Sequence, residues 1–202
     1  MKIAVIGAGN VGSTLGKLWA ECGHEVSFGA RDSNSAKVGA LRTSWAGVVV
    51  ASVAEAVKSA EAVVIAVPGS VVGDTVTESG DWSGKIVIDT TNRFGASDEF
   101  SSASEEIAQK SPGSRVVKAF NTIGYERYGR PTFGSERASM FLCGDDADAK
   151  SVVAGLIGEL GFEPVDCGLL VNAAMLESLA RLWISLAGDV DGRNIGFRLL
   201  SE

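Results

Sequence analysis

The sequence predicts an α/β fold: a doubly wound, mainly parallel sheet with a small C-terminal helical and α+β portion. Three observations carry this. Short apolar runs alternate with segments of helical spacing along most of the 202 residues, the pattern of right-handed βαβ units. Residues 62–67, AVVIAV, are apolar throughout, as suits a strand buried on both faces. Between the first apolar run and the first helical segment lies a glycine-rich turn, GAGNVG.

The elements follow in order. Residues 2–6 form a short apolar strand ending in glycine. Residues 11–22 carry Val11, Leu15, Leu18 and Trp19 at helical spacing, and Gly23 stops that helix. A second strand is expected at 25–28, a short helix at 33–41, a third strand at 47–51 and a helix at 53–59. The buried strand 62–67 leads to a helix at 71–78, and KIVID supplies a fifth strand at 85–89. Polar, serine-rich 94–104 reads as the longest loop, before a helix at 105–110 and a strand at 115–120. Residues 124–137, with Pro131 and three glycines, read as irregular. Strand 139–142, helix 147–160, strand 163–165 and the long apolar helix 175–187 complete the chain. Two parts are expected: a dinucleotide-binding core over 1–121, and a smaller portion over 122–202 that completes the cleft.

Bulk properties exclude several classes. The net charge is −7 and the 18 Lys and Arg residues are scattered, so no basic face exists for nucleic acid or an anionic membrane. Cys22, Cys143 and Cys167 form no C-x-x-C pair, and one histidine leaves no Cys/His metal cluster. They read as buried cysteines of a reducing compartment. The N-terminus lacks the features of a signal peptide, and no apolar segment is expected to approach the ~20 residues of a span, so a cytoplasmic location is expected.

The turn Gly7-Ala8-Gly9-Asn10-Val11-Gly12 fits G-x-G-x-x-G in the required place, after a strand and before a helix. Gly7 permits the tight turn, Gly9 admits the pyrophosphate to the backbone, and Gly12 lets helix and strand approach. The helix N-terminus offers free N–H groups and its dipole to phosphate. The second strand runs out at Ala30, followed by Arg31 and Asp32. An acid here would clasp the ribose hydroxyls of NAD, whereas Arg31 offers a planar donor fork for the 2′-phosphate of NADP. Ser33, Ser35 and Lys37 add anion donors, and the balance favours NADP, with Asp32 as the competing feature.

Ligands of doubly wound sheets sit beyond the C-terminal strand ends. The corners there are Val67-Pro68-Gly69-Ser70, Asp89-Thr90-Thr91-Asn92, and Phe120-Asn121-Thr122-Ile123-Gly124. No histidine, lysine or tyrosine stands out as a proton relay. His24 starts the second strand and reads as structural; Lys118 lies within a strand, a position whose side chain need not face the crevice. Tyr125 and Tyr128 have no assigned place. The acceptor then needs little acid–base help, as when hydride passes between two cofactors.

The segments AVVIAVP, KIVIDTTN, VVKAFNTIG, FLCGDDADAK, LGFEPVDCGLL and LESLARLWISLA, in this order after the glycine turn, resemble the NADPH-dependent coenzyme F-420 reductases end to end. F-420 is an 8-hydroxy-5-deazaflavin. The cytosolic domains of the six-helix ferric reductases look similar. The resemblance implies a Rossmann-type core whose cleft faces nicotinamide to deazaflavin, in a homodimer. It implies that Gly7, Gly9, Asn10, Val11 and Gly12 hold the pyrophosphate. The family's serine-arginine pair for the 2′-phosphate maps to Ala30-Arg31, keeping only the arginine, and a family lysine matches Lys37 with a shift. Asn121 stands where the deazaflavin-using members have histidine, and Ile123 matches an apolar residue beside the ring.

Three readings stand at this point. The first is an NADP(H)-dependent oxidoreductase passing hydride to a deazaflavin or flavin, with Val67, Pro68, Thr90, Asn92, Asn121 and Ile123 lining the cleft and no residue acting as general acid. The second is an NADPH-dependent reductase of a small imine, ketone or ferric chelate. The third is a non-catalytic NADP-binding sensor or partner protein.

Overall fold

The computed structural model describes residues 1–94, 99–189 and 192–201. β1 (Lys2–Ile6) leads through the glycine turn into α1 (Asn10–Glu21), β2 (Glu25–Gly29) into α2 (Ala36–Ser44), and β3 (Val49–Ala51) into α3 (Val53–Ser59). β4 (Ala62–Ile65) is followed by a 3-10 turn (Gly69–Val71) and α4 (Val72–Thr77). Then come β5 (Ile86–Asp89), α5 (Ala103–Lys110) and β6 (Arg115–Lys118). The stretch expected to be irregular holds a 3-10 turn (Tyr125–Arg127) and a hairpin of β7 (Thr132–Phe133) and β8 (Glu136–Arg137). β9 (Ser139–Gly144), α6 (Ala147–Glu159), β10 (Glu163–Asp166) and α7 (Ala173–Asp189) follow.

The main sheet has eight strands in the order β10-β9-β6-β5-β4-β1-β2-β3. Its parallel part, β3-β2-β1-β4-β5-β6, is the dinucleotide-binding order, which reverses between β1 and β4 and leaves a crevice beyond the strand ends there. The sheet continues past residue 121: β9 runs antiparallel beside β6, and β10 lies parallel to β9. β4 and β5 are buried at every position, as the apolar run of β4 and residues 86–88 of β5 require, and β5 closes on the buried carboxylate of Asp89.

Local chemistry explains where the elements differ from expectation. The helix expected from residue 33 starts at Ala36, because the Asp32 carboxylate accepts the Asn34 N–H at 2.8 Å and closes a turn first. Pro68 ends the β4 corner, and one 3-10 turn precedes α4. The α5 helix begins at Ala103, capped by the Ser102 hydroxyl on the Glu105 N–H. Residues 95–98 of the expected serine-rich loop lie outside the described residues.

Each face of the sheet carries a core. One gathers Leu15, Trp19, Phe28, Phe120, Met140 and Phe162, the other Val57, Val76, Trp82 and Ile107. Trp19 is fully buried and its Nε1 donates to the Leu156 carbonyl at 3.2 Å, which fastens α6 onto α1. The tail lies along β9, the Ser139 N–H donating to the Phe197 carbonyl at 2.9 Å.

One expectation needs correcting. Leu170–Asp189 is a 20-residue helical stretch with the length and mean hydropathy, 1.3, of a membrane span. It also carries a buried carboxylate, Glu177, bonded into the protein, and its Leu176, Ala180 and Trp183 pack inward. The sequence reading missed its length because α7 begins two residues before 175, after a 3-10 turn.

Candidate active site

A cleft of about 270 Å³ opens at the reversal between β1 and β4. Gly7 and Gly9 line it from the β1 corner, Val67 and Pro68 from the β4 corner, and Arg31, Ser35 and Lys37 from beyond β2. Gly7 has φ +113°, a conformation a side chain rarely adopts, and a Cβ there would lie 2.4 Å from the Ala66 carbonyl oxygen. A Cβ on Gly12 would lie 2.1 Å from the Gly7 carbonyl oxygen, so Gly12 is a packing residue that seats α1 on the turn.

The residues present fit a phosphorylated dinucleotide. A Cβ built on Gly9 meets nothing within 4 Å, so the space in front of that backbone is open. α1 starts at Asn10 with no side-chain cap and no acid in its first turn, which leaves the N–H groups of Asn10 and Val11 to the cleft end. α2 starts in the same way after Ser35, with no side-chain cap and no acid in its first turn. Exposed Arg31 and Lys37 stand beside that second N-terminus, a cationic end with free donors. One Asp32 oxygen is spent on the Asn34 N–H. Ser33 does not line the cleft; its carbonyl accepts from Arg42 at 3.0 Å. Ser35, expected beside it, does line the cleft, as the residue before the first helical turn of α2.

At the other strand ends three corners meet on Asn92. A Cβ on Gly69 would lie 2.4 Å from the Asn92 carbonyl oxygen, so the β4 corner packs directly on that residue. The Asn92 Oδ1 accepts from Asn121 Nδ2 at 3.0 Å, and the same Nδ2 donates to the Leu176 carbonyl of α7 at 3.0 Å. That carbonyl can only accept, which orients the Asn121 amide. Thr90 donates its hydroxyl to the Ile65 carbonyl at 2.9 Å, tying the β5 corner to the end of β4. Ile123 is 6% exposed and packs in the core. Phe120 precedes Asn121 with φ +61°, a costly conformation for an aromatic residue. It is held there by edge-on contacts with Trp19 and Tyr128 and by the Tyr128 hydroxyl, which donates to its carbonyl at 2.5 Å. Burial pushes the Tyr128 phenol far above its ordinary range, so it stays a neutral donor rather than a proton relay.

Lys118, a strand residue with no role assigned from the sequence, lies in a buried ionic cluster. It ends β6 with its side chain fully buried, and its Nζ donates to Asp89 Oδ2 at 2.8 Å, to Glu177 Oε1 at 2.9 Å and to the Thr91 carbonyl. Asp89 and Lys118 are register partners at the ends of apolar strands. A charge closing an apolar run was the visible signal; Glu177, far along the chain, gave none. His24 lies elsewhere, with its Nδ1 3.3 Å from the Met1 amino group and its Nε2 2.7 Å from Glu159.

Comparison with known proteins decides the class. The chain is 31% identical over 220 residues to the F-420-dependent NADP reductase of Methanothermobacter thermautotrophicus, covering 98% of this chain and 94% of that protein. The family described as coenzyme F-420-dependent NADP oxidoreductase matches residues 2–93.

The chain belongs to the coenzyme F-420-dependent NADP oxidoreductase family.

It is thereby an NADP-dependent oxidoreductase with NADP(H) as cofactor. The family's architecture extends over the whole chain: a crystal structure of a candidate F-420-dependent NADP reductase from Arthrobacter sp. FB24 superposes with a TM-score of 0.89 at 30% identity, covering all of both chains. Metalloreductase STEAP3 of Rattus norvegicus is 29% identical over 181 residues, 88% of this chain. The chain spans about a third, 36%, of that relative's length.

Proposed function

We propose that this family member passes hydride between the nicotinamide of NADP(H) and a deazaflavin- or flavin-type acceptor, coenzyme F-420 foremost. The observation that carries the reading is the junction of the β4, β5 and β6 corners on Asn92, set beside a cleft whose far end carries Arg31, Ser35 and Lys37. The backbone of Gly7, Gly9, Asn10 and Val11 would hold the pyrophosphate, with Gly12 seating the helix. Arg31, Lys37 and the α2 N-terminus would hold the 2′-phosphate. Val67 and Pro68 would lie along the nicotinamide riboside, with Asn92 and Asn121 orienting its ring and Thr90 and Ile123 bracing the corner. When bound, NADPH supplies the hydride from nicotinamide C4. The protein's contribution is proximity and orientation, a large term by itself.

A homodimer fits the same reading. Met175 and Leu182, seven residues apart on the outer face of α7, are 69% and 51% exposed, and Val171 beside them is 72% exposed. Such a stripe is the kind of face a second copy covers. The function is tested by mixing the protein anaerobically with NADPH and F-420 and following the F-420 absorbance. Turnover bleaches that band; a protein that binds NADPH and reduces only an imine or a ferric chelate would replace the acceptor, and one that reduces none would be a binding protein.

A further inference from the structure

On either side of Asn92 the corner after β5 is fastened through backbone atoms to one buried ionic cluster. The Thr91 N–H donates to Asp89 Oδ1 at 2.8 Å, the Thr91 carbonyl accepts from Lys118 Nζ, and the Arg93 N–H donates to Glu177 Oε2 at 3.0 Å. Asn92 lies between these anchored groups. Lys118 spends its three donors on Asp89, Glu177 and the Thr91 carbonyl. Asp89 Oδ2 also accepts from the Ser104 hydroxyl at 2.6 Å, and Glu177 Oε1 from the Ala103 N–H at 2.9 Å, so α5 and α7 join the same cluster.

Such a cluster is a poor source of stability. Burying three charges costs desolvation that their attraction only partly offsets, and apolar side chains of similar volume often serve stability better. What ions provide that apolar groups cannot is direction, since four of these bonds aim at particular backbone atoms, those of Thr91 (N–H and carbonyl), Arg93 and Ala103. We propose that Lys118 is a positioning residue: acting through the Thr91 carbonyl and Glu177, it sets the place of Asn92 against the nicotinamide end of the cofactor. This rests on the hydride-transfer reading for the identity of that end. The Asn92 side chain, already tied to Asn121, is the part that meets the ligand.

Two variants test this. Lys118→Met keeps the length of the stem and removes the donors; Glu177→Gln keeps the shape and turns one acceptor into a donor facing donors. Binding of NADPH is compared with that of 2′-phospho-ADP-ribose, which lacks the nicotinamide, and kcat is measured with F-420. In both variants the Kd for 2′-phospho-ADP-ribose should stay within about twofold, the preference for NADPH over it should collapse, and kcat should fall about tenfold or more with KM for NADPH moving less. If Lys118→Met does not fold, Glu177→Gln decides. A folded variant with the wild-type NADPH preference and kcat would overturn the proposal, as would equal loss of affinity for both ligands. A wild-type protein with no preference for NADPH would overturn it too. If the wild type binds NADPH preferentially yet never reduces F-420, the acceptor reading fails while the ligand pair still decides the role of Lys118.

Discussion

Asn121 Nδ2 donates to Asn92 Oδ1 at 3.0 Å, joining the corners after β5 and β6. Asn121→Leu removes that bond, and with it the side-chain donor that the Leu176 carbonyl of α7 accepts in addition to its helical bond. The variant should lose about 1–3 kcal/mol of stability, seen as a lower urea midpoint. Its kcat should fall at least about tenfold, with Kd for 2′-phospho-ADP-ribose unchanged.

Arg31→Ala should raise the Kd for NADPH about 10–30-fold, on the order of 2 kcal/mol, and leave that for NADH nearly unchanged. Asp32→Asn keeps an oxygen for the Asn34 N–H and removes a negative charge beside the proposed phosphate site. It should tighten NADPH binding at low ionic strength, and the gain should fade as salt is added. Calorimetry with the two cofactors at two salt concentrations reads both effects.

Gly9→Ala and Gly12→Ala should separate ligand contact from packing. A methyl group on Gly9 enters open space, so the melting temperature should hold while NADPH binding is lost. One on Gly12 collides with the Gly7 carbonyl, and should cost about 3 kcal/mol of stability before any ligand is added.

Leu182→Glu and Met175→Glu place charges on the exposed face of α7. For the homodimer proposed above, sedimentation should show a shift from dimer toward monomer, with the isolated fold changing by only about 0.5 kcal/mol.

Two of the cysteines, Cys143 and Cys22, should respond differently to alkali. Burial pushes the Cys143 thiol up to about 12, so between about pH 7 and 9 it stays neutral in the folded protein and reacts only after unfolding. Cys22 is exposed, and although burial and Glu159 raise its pKa, its labelling should still quicken as pH rises. Time-resolved thiol labelling with and without denaturant distinguishes the two.

Much of this was legible in the chain because it is local. The turn from Gly7 to Gly12 needs only neighbouring residues to define its geometry, and the alternating apolar runs dictate βαβ units and a parallel sheet. Arg31 stood out because it follows directly on a strand end. The later motifs carried the family, since they recur in order along the whole length. Ser33 and Ser35 were both expected as anion donors and only Ser35 lines the cleft, because the Asp32 turn delays the start of α2.

The sequence by itself determined the strand-and-helix alternation, the dinucleotide turn and the cationic residue beyond β2, because hydrogen bonding and apolar periodicity within a few residues suffice for each. Only the tertiary structure decided that Asn92 and Asn121 touch, that Gly69 rests on Asn92, and that Lys118, Asp89 and Glu177 share one buried cluster. Those partners come from separate strand ends and from α7, so no local pattern encodes them. A lysine at the end of a strand becomes an interior ion only when two distant carboxylates are folded around it.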